Sequence, residues 1–327
     1  MLPETDRERS EPRHGVFTVG SITADVTAFS ARPPGRGETI LGDDFTLLLG
    51  GKGANQAVAV SRAGAYSSIA GCVGSDIFRT LTLDGLRANG VDIDDVRMVD
   101  GATGVAHIRV DASGENDIVS IPLANGHIDE SQVDEALRRL IGRVSVLLVQ
   151  LEIPWRVAMH AVRAGSAAGL RVILDPAPAI SLDDDIWRFV DVVIPNETEA
   201  SQLTGIAVID EESAIAAGRW FCKRGARSAI ITLAAAGAVL VTATDVVHFP
   251  AYQVRAVDTT AAGDAFAGYL SAAIAHGMDI IDAVPRAMAA GALTMTKRGA
   301  SPSLPMRAEV ERFLAMQSQS TPLEGQK

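Results

Sequence analysis

Short apolar runs alternate with helix-like segments along most of this chain, and that alternation restricts the possible folds more than any other feature. Runs typical of buried strands cover residues 15–20, 67–72, 144–149, 190–194 and 228–232. Helical periodicity covers residues 77–89, 130–140, 155–168, 211–224, 279–297 and 307–316. Because strand–helix–strand repeats form parallel strand pairs with covered faces, the sequence predicts an α/β fold. Its sheet should be doubly wound, mostly parallel and flanked by helices.

Two other regions have the shorter alternation of an exposed sheet. Residues 39–49 alternate enough to form short strands, and residues 103–110 and 118–121 flank a turn at residues 111–115. We therefore predict one domain over residues 15–316, with a small β-sheet lid formed by about residues 24–49 and 96–122. The polar ends, residues 1–14 and 317–327, are predicted to be disordered.

Residues 256–270 read Ala-Val-Asp-Thr-Thr-Ala-Ala-Gly-Asp-Ala-Phe-Ala-Gly-Tyr-Leu, which indicates a turn of small residues that opens a helix. Thr259 or Thr260 is expected to cap this helix. The backbone N–H groups of residues 261–263 would then form an anion site at the positive end of the helix dipole. Asp264 beside that site suits a base that deprotonates a hydroxyl attacking a phosphoryl group. The alternative is an Ala-rich core helix whose Asp only balances the dipole.

Polar residues also follow predicted strands, where ligands bind in α/β sheets. Asp25 lies just past the first strand, and Glu152 lies just past the strand at 144–149. A simple turn is the alternative for Asp25. Residues 50–55, Gly-Gly-Lys-Gly-Ala-Asn, are not a P-loop because Lys52 is followed by Gly and not by Ser or Thr. They indicate a glycine turn that lets Lys52 and Asn55 reach a polyhydroxylated ligand, with a plain glycine-rich loop as the alternative.

The segment Pro-Asn-Glu-Thr-Glu at residues 195–199 follows another apolar strand and opens a helix. Polar groups at the end of a strand suit Mg²⁺, which keeps most of its waters and is held through carboxylates and phosphates. An acid-rich helix N-terminus without a metal is the alternative.

Composition restricts the class of partner and the compartment. The formal net charge of −11 over 327 residues argues against nucleic-acid and anionic membrane surfaces. Two cysteines form neither a disulfide framework nor a metal cluster, and the polar first residues lack the apolar core of a signal peptide. No apolar run is long enough to span a bilayer. We therefore expect a cytoplasmic protein with small-molecule partners.

Taken together and in order, these segments resemble the PfkB carbohydrate kinase family and, within it, the ribokinase branch. The resemblance runs from about residue 16 to residue 313. Its markers are Gly-Ser-Ile at residues 20–22 with Asp25, the glycine turn at 50–55, Gln-Leu-Glu at 150–152, residues 195–199, 258–264 and 297–303. It implies a ribokinase-like fold and ATP-dependent phosphorylation of the terminal hydroxymethyl group of a small sugar.

The resemblance also implies a role for each matching position. Asp264 would be the general base, and the N–H groups of Ala261, Ala262 and Gly263 would stabilise the transferring phosphoryl group. Substrate-contacting positions would be Thr23, Asp25, Gly51, Lys52, Asn55, Glu152 and Asp264. The nucleotide site would include Asn196, Thr232, Gly237, Gly263 and Met288, with Glu199 supporting Mg²⁺. A monovalent cation, K⁺, would bind largely through backbone carbonyls at Asp258, Thr260, Thr294, Lys297, Gly299 and Ser303. The lid would form a homodimer contact.

The sequence differs from the family pattern at four positions, where Thr23, Ala234, Ala267 and Met288 replace residues more usual in ribokinases. The change at Thr23 bears on which sugar is bound, whereas the changes at Ala234 and Met288 bear on which nucleotide is preferred. D-ribose is the predicted substrate. The alternatives are a kinase of the same fold for deoxyribose, a nucleoside or a hexose derivative, and a sugar-binding regulator without catalysis. The absence of a G-x-G-x-x-G motif after the first strand excludes a dinucleotide-dependent oxidoreductase.

Overall fold

A computed structural model describes residues 15–112 and 116–320. The expected disorder of residues 1–14 and the end of the chain from 321 onwards, together with the middle of the turn at 111–115, lies outside these residues. The expectation for residues 317–320 is wrong, because the last helix continues to Ser320. Among the helices of the described segments, none is both long and apolar enough to cross a membrane.

The described residues form thirteen strands and nine α-helices. The strands are β1 Gly15–Val19, β2 Thr23–Phe29, β3 Asp44–Gly50, β4 Tyr66–Val73, β5 Val96–Met98, β6 Gly104–Val110, β7 Asn116–Ile121, β8 Val144–Val149, β9 Arg171–Leu174, β10 Val192–Val193, β11 Ser228–Thr232, β12 Ala238–Thr242 and β13 Val246–Phe249. The helices are α1 Lys52–Arg62, α2 Phe78–Ala88, α3 Glu130–Leu140, α4 Trp155–Ala167, α5 Glu197–Thr204, α6 Glu211–Lys223, α7 Ala262–Ala275, α8 Ile280–Thr294 and α9 Arg307–Ser320.

Nine strands form one large sheet in the order β13-β12-β11-β10-β9-β8-β1-β4-β5. The strands from β11 to β5 pair in parallel, and β12 and β13 add an antiparallel edge. Successive side chains of one strand enter opposite cores: Val16 packs with α1, α7 and α8, whereas Phe17 packs with α3, α4 and α6. Both faces are therefore covered, which confirms the doubly wound α/β prediction.

Four strands form the separate small sheet, in the order β3-β2-β6-β7. Strand β3 begins later than the sequence predicts, since residues 39–43 precede it and are not a strand, whereas β7 begins two residues earlier than predicted. The assignment of residues 96–98 to this sheet is wrong, because β5 pairs in parallel with β4 at the edge of the large sheet. Strand β5 is too short for its hydrophobic alternation to show which sheet it joins. Its place is decided by the path of the chain after α2.

The parallel strands end along one edge of the large sheet, and the connections that follow them face the small sheet. Ser21 follows β1, Gln150 follows β8, Asp175 follows β9 and Asn196 follows β10. The predicted strand at 190–194 pairs only over β10, because the preceding residues form a 3₁₀ turn, Asp184–Phe189. Polar side chains from distant parts of the sequence therefore meet at this edge.

Candidate active site

The first turn of α7 is open to a ligand. Ala261 occupies the position before the helix with a left-handed backbone, φ 61°, and no side chain caps the turn. The predicted cap by Thr259 or Thr260 is therefore wrong. The backbone N–H of Ala262 donates to the backbone oxygen of Thr259 at 3.3 Å, whereas those of Ala261 and Gly263 have no partner among the described residues and can bind an anion. A Cβ added at Gly263 would meet no atom within 4 Å, so space for a bulky ligand lies in front of the turn.

Asp264 stands in this first turn, buried and with each carboxylate oxygen bonded. Asn55 donates from Nδ2 to Oδ2 at 3.0 Å, and Gln56 donates from Nε2 to Oδ1 at 3.1 Å. Burial raises the pKa of Asp264 above its usual value, while the charge of Lys52 and the two amide donors act to lower it. A carboxylate that is desolvated yet stabilised by donors is suited to accept a proton.

The small sheet and the strand ends enclose a cavity of about 310 Å³ in front of Asp264. The wall from the small sheet includes Ile118 and Ser120 of β7, and the opposite wall includes Ala261. All seven predicted substrate positions line this one cavity: Thr23, Asp25, Gly51, Lys52, Asn55, Glu152 and Asp264. The volume and the polar lining fit a small polyhydroxylated molecule.

Asp25 is a second buried carboxyl group that lines the cavity. Burial raises its pKa to about 7, and the hydrogen bond from Thr23 Oγ1 to Asp25 Oδ1, 2.8 Å long, partly opposes that rise. Room for the carboxylate comes from Gly50, because a Cβ there would lie 2.0 Å from Asp25 Cγ. The hydroxyl of Thr23 is thus directed at Asp25.

Lys52, which follows the glycine turn at Gly51, and Glu152, which follows β8, both line the cavity. Gly51 has φ 88°, and its added Cβ would lie 3.0 Å from the backbone oxygen of Ser21. Glu152 Oε2 accepts from Ser21 Oγ at 2.5 Å and from the backbone N–H of Lys52 at 2.9 Å, which ties three loops together. Burial acts to lower the pKa of Lys52, but the surrounding carboxylates, Asp264 first, raise it above its usual value. The ammonium group therefore stays charged.

Asn196, Glu199 and Thr232 meet at the neighbouring strand ends. Asn196 Oδ1 accepts from the N–H of Glu199 and Glu199 Oε2 accepts from the N–H of Asn196, each at 2.9 Å, in a capping box that opens α5. Thr232, at the end of β11, forms a parallel bridge with Asn196. Gly237 has φ 98°, and Met288 lies half-buried on α8 against the core beneath α7. The hydrogen bonds and the bridge thus join Asn196, Glu199 and Thr232 at the strand ends.

The two loops predicted to hold a cation are joined through Asp258. Its carboxylate accepts from the backbone N–H of Thr260 at 2.9 Å and from that of Gly299 at 2.8 Å. The hydroxyls of Thr294 and Ser303 donate to backbone oxygens of their own segments. Lys297 instead points outward to Glu309, with a separation of 2.8 Å.

Sequence reasoning missed three buried polar residues behind the cavity: Gln56, Gln150 and Asp175. Gln56 directly follows the glycine turn, and Gln150 and Asp175 directly follow β8 and β9. The rule that ligands bind at carboxyl ends of parallel strands would have selected Gln150 and Asp175 as well as Glu152. No local signal distinguishes Gln56 from a surface residue of α1.

Comparison with known proteins agrees with this geometry. A family model described as pfkB family carbohydrate kinase matches residues 13–307. The ribokinase of Haemophilus influenzae is 37% identical over 306 residues, covering 92% of this chain and 99% of that protein. The deoxyribokinase of Salmonella typhi is 33% identical over 303 residues, covering 92% of this chain and 99% of that protein.

A solved structure gives the same result for the fold. Arabidopsis thaliana ribokinase, determined in complex with ribose and ATP, matches with a TM-score of 0.85 and 30% sequence identity. The match covers 91% of this chain and 98% of that chain, so the two sheets and their helices correspond almost throughout. The fold, the matched family model and the similarity over nine-tenths of the chain lead to one conclusion: the chain belongs to the PfkB family of carbohydrate kinases.

Proposed function

We propose that this protein is an ATP-dependent kinase that transfers the γ-phosphoryl group to the terminal hydroxymethyl group of D-ribose, giving ribose 5-phosphate. The observation that carries the proposal is the pairing of a buried carboxylate with an open helix N-terminus. Asp264 faces a cavity of sugar size, and the space in front of Gly263 is free of other atoms. Ribose as substrate is supported by the ribokinases among the similar proteins.

Asp264 accepts the proton of the attacking hydroxyl, whose oxygen forms the new bond to phosphorus while the bond to the leaving ADP oxygen breaks. The N–H groups of Ala261, Ala262 and Gly263 would stabilise the charge that develops on the transferring group. Asn55 Oδ1 is buried and has no partner within residues 15–112 and 116–320, so it can accept a hydrogen bond from a sugar hydroxyl. Asp25 and Lys52 supply the further acceptor and donors that a furanose needs.

Asn196, Thr232, Gly237 and Met288 form the proposed nucleotide site. The carboxylate of Glu199 beside Asn196 fits Mg²⁺ that is held mainly through phosphates and waters, since Mg²⁺ is usually bound through one or two carboxylates and substrate phosphates. Glu199 is the carboxylate that would orient those waters, and its charge raises the pKa of both Lys52 and Asp175. Bound Mg²⁺ would neutralise charge on the β- and γ-phosphates.

We also propose K⁺ at the loops joined by Asp258. The side chains of Thr294, Lys297 and Ser303 are engaged elsewhere, so the site would use backbone carbonyls with Asp258 as its charged neighbour. Its proximity to the turn before α7 suits an ion that stabilises this turn without touching substrate. Two free cysteines, Cys72 and Cys222, support a reducing cytoplasmic location.

A homodimer through the small sheet is the proposed assembly. Within the described residues, β3 and β7 are the outer strands of the small sheet, and exposed apolar side chains lie on both. Phe45 is 59% exposed, Val119 is 58% exposed and Ile118 is 51% exposed, although Ile118 also lines the sugar cavity. A second copy would cover this apolar surface and the sheet edges.

Deoxyribose is the second candidate substrate. The hydroxyl of Thr23 donates its hydrogen to Asp25, so Thr23 offers a sugar only an acceptor and cannot replace the donors of the amide that ribokinases usually carry there. A missing buried hydrogen bond costs roughly 1–3 kcal/mol, which would weaken ribose more than a sugar lacking one hydroxyl. The similarity to a deoxyribokinase supports this candidate.

A substrate screen tests the proposal. ADP release is measured with D-ribose, 2-deoxyribose, nucleosides and hexoses, and the phosphorylated carbon is identified by phosphorus–proton NMR. We expect D-ribose to be phosphorylated at its terminal carbon with the highest kcat/KM. Preference for another sugar would replace ribose but keep the kinase assignment. Sugar binding without ADP release would favour a non-catalytic regulator.

A further inference from the structure

A chain of buried side chains runs from Asp264 away from the sugar cavity. Gln56 Nε2 donates to Asp264 Oδ1 at 3.1 Å and to Asp175 Oδ2 at 2.7 Å. Gln150 Nε2 donates to Gln56 Oε1 at 2.8 Å. None of the three residues behind Asp264 lines the sugar cavity. One amide thus bridges two carboxylates and is itself held by a second amide.

Every polar atom of the Gln56 side chain is engaged. A primary amide has two N–H donors and a carbonyl acceptor. The two N–H groups donate to Asp264 Oδ1 and Asp175 Oδ2, and Oε1 accepts from Gln150 Nε2. A rotation of this amide by 180° would place Oε1 against the carboxylates and lose all three bonds. Gly20 provides the room for Gln150, since a Cβ there would lie 1.8 Å from Gln150 Oε1.

We propose that Gln56 is a positioning residue that keeps the Asp264 carboxylate oriented and ionised for proton acceptance, and that Gln150 acts through Gln56 by setting the direction of its amide. Asp175 is the second anchor of the same NH₂ group. This inference rests on the proposed role of Asp264 as the general base.

The two amides that donate to Asp264, those of Asn55 and Gln56, should respond differently to substrate binding. Asn55 lines the cavity, so its amide is available to exchange partners when a sugar hydroxyl arrives. Gln56 does not line the cavity, so its bond to Asp264 should persist when substrate binds. It therefore restrains the base from the side away from the cavity.

The charges around Asp264 make the hydrogen bond from Gln56 important for the protonation state of Asp264. Lys52 is the cation facing Asp264, whereas the carboxyl groups of Asp25, Asp175 and Glu152 all disfavour a further negative charge. Burial also disfavours the ionised form of Asp264, and a donated hydrogen bond favours it. Loss of the Gln56 bond should thus raise the pKa of Asp264 and leave less of the base ionised at neutral pH.

The test uses Gln56→Leu, Gln150→Leu and the double variant, with full pH profiles of kcat and kcat/KM. For Gln56→Leu we expect kcat to fall about ten- to a hundredfold and the acid limb of the kcat profile to move about one pH unit upward. Gln150→Leu should move the limb in the same direction by less, and it also serves if Gln56→Leu does not fold. The double variant should match Gln56→Leu, because Gln150 acts through it.

Gln132 offers a matched control. It is likewise a buried glutamine, and its Nε2 donates to the backbone oxygens of Gly71 and Asp95 at 2.8 Å, away from the cavity. Gln132→Leu should lower thermal stability and leave the acid limb in place. An unmoved limb in Gln56→Leu, or effects of Gln56→Leu and Gln150→Leu that multiply in the double variant, would overturn the proposal. An active Asp264→Asn enzyme would instead overturn the base assignment itself.

Discussion

Asp264 faces two opposing requirements, because a base must be ionised to accept a proton but burial disfavours its charge. The structure meets both through the positive charge of Lys52 and amide donors on each carboxylate oxygen. These groups also fix the direction from which a substrate proton can approach. The chemistry at this residue is therefore set by side chains from α1 as much as by α7 itself.

Asp264→Asn should remove the base while keeping the shape of the cavity. Positioned general bases contribute on the order of 10²–10⁴ in rate, so kcat should fall by that factor. The dissociation constant for ribose, measured by calorimetry without ATP, should stay within about threefold because the rest of the lining is unchanged. Retention of more than about a tenth of wild-type turnover would contradict the assignment.

Asp25→Asn should stabilise the protein in a pH-dependent way. The folded-state pKa of Asp25 is about 7 and its ordinary value is 3.8, so between these values the folded state binds a proton that the unfolded state lacks. Stability contributed by this carboxyl group therefore falls as pH rises towards 7. The variant should gain up to about 4 kcal/mol in free energy of unfolding at pH 8, and less at pH 5.5. Equal gains in urea titrations at both pH values would refute the raised pKa.

At the scale of elements, the crossing of α1 and α7 sets the geometry of the base. Asp264 lies on α7, and both of its donors lie on α1. The helices approach closely at Gly268, where an added Cβ would lie 2.5 Å from Ala59 Cβ and 2.7 Å from the backbone oxygen of Gln56. A change in this contact should move the base relative to its donors.

Gly268→Ala should therefore reduce both stability and turnover. Overpacking in a close contact typically costs 1–3 kcal/mol, and separation of the helices should lengthen the bonds to Asp264. Thermal melts and kcat measure the two effects. Gly126→Ala is the control, because a Cβ there would meet no atom within 4 Å. Normal turnover in a destabilised Gly268→Ala variant would show that the crossing does not control the base.

The cation site proposed at the two loops joined by Asp258 predicts that activity depends on the monovalent cation in the buffer. An ion bound there should stiffen the turn before α7 and thereby align its N–H groups. Activity should be low in buffer containing only sodium or Tris, and it should rise several-fold when potassium is added at constant ionic strength. Asp258→Asn should weaken that response. Equal activity in all three buffers would exclude a functional cation site.

At the scale of the whole molecule, the two sheets contribute different parts of the site. The large sheet is covered on both faces and carries the strand ends that hold polar residues. The small sheet contributes a wall of the cavity and leaves apolar side chains exposed at its edges. We therefore expect a partner that covers the small sheet to affect the sugar cavity as well.

Ile118→Lys should convert a dimer into a monomer and raise the KM for sugar, because a charge would be buried in the proposed interface. Light scattering at micromolar concentration measures the first effect, and steady-state kinetics the second. Ile141→Lys is the control, since Ile141 is 64% exposed but follows α3, outside the small sheet. A monomeric wild-type protein would contradict the assembly.

The sequence by itself determined the fold class and the helix that carries Asp264, because both rest on local patterns, and it indicated Lys52, Asn55 and Glu152 as candidate ligand contacts. Periodicity identifies strands and helices, and strand-end positions identify ligand contacts. Tertiary structure alone decided the uncapped first turn, the placement of β5 and the bridge from Gln56 to Asp264 across 208 positions. It also decided which carboxyl groups have raised pKa values. Burial and the proximity of charges depend on residues far apart in the chain, so they cannot be predicted from the residues adjacent in sequence.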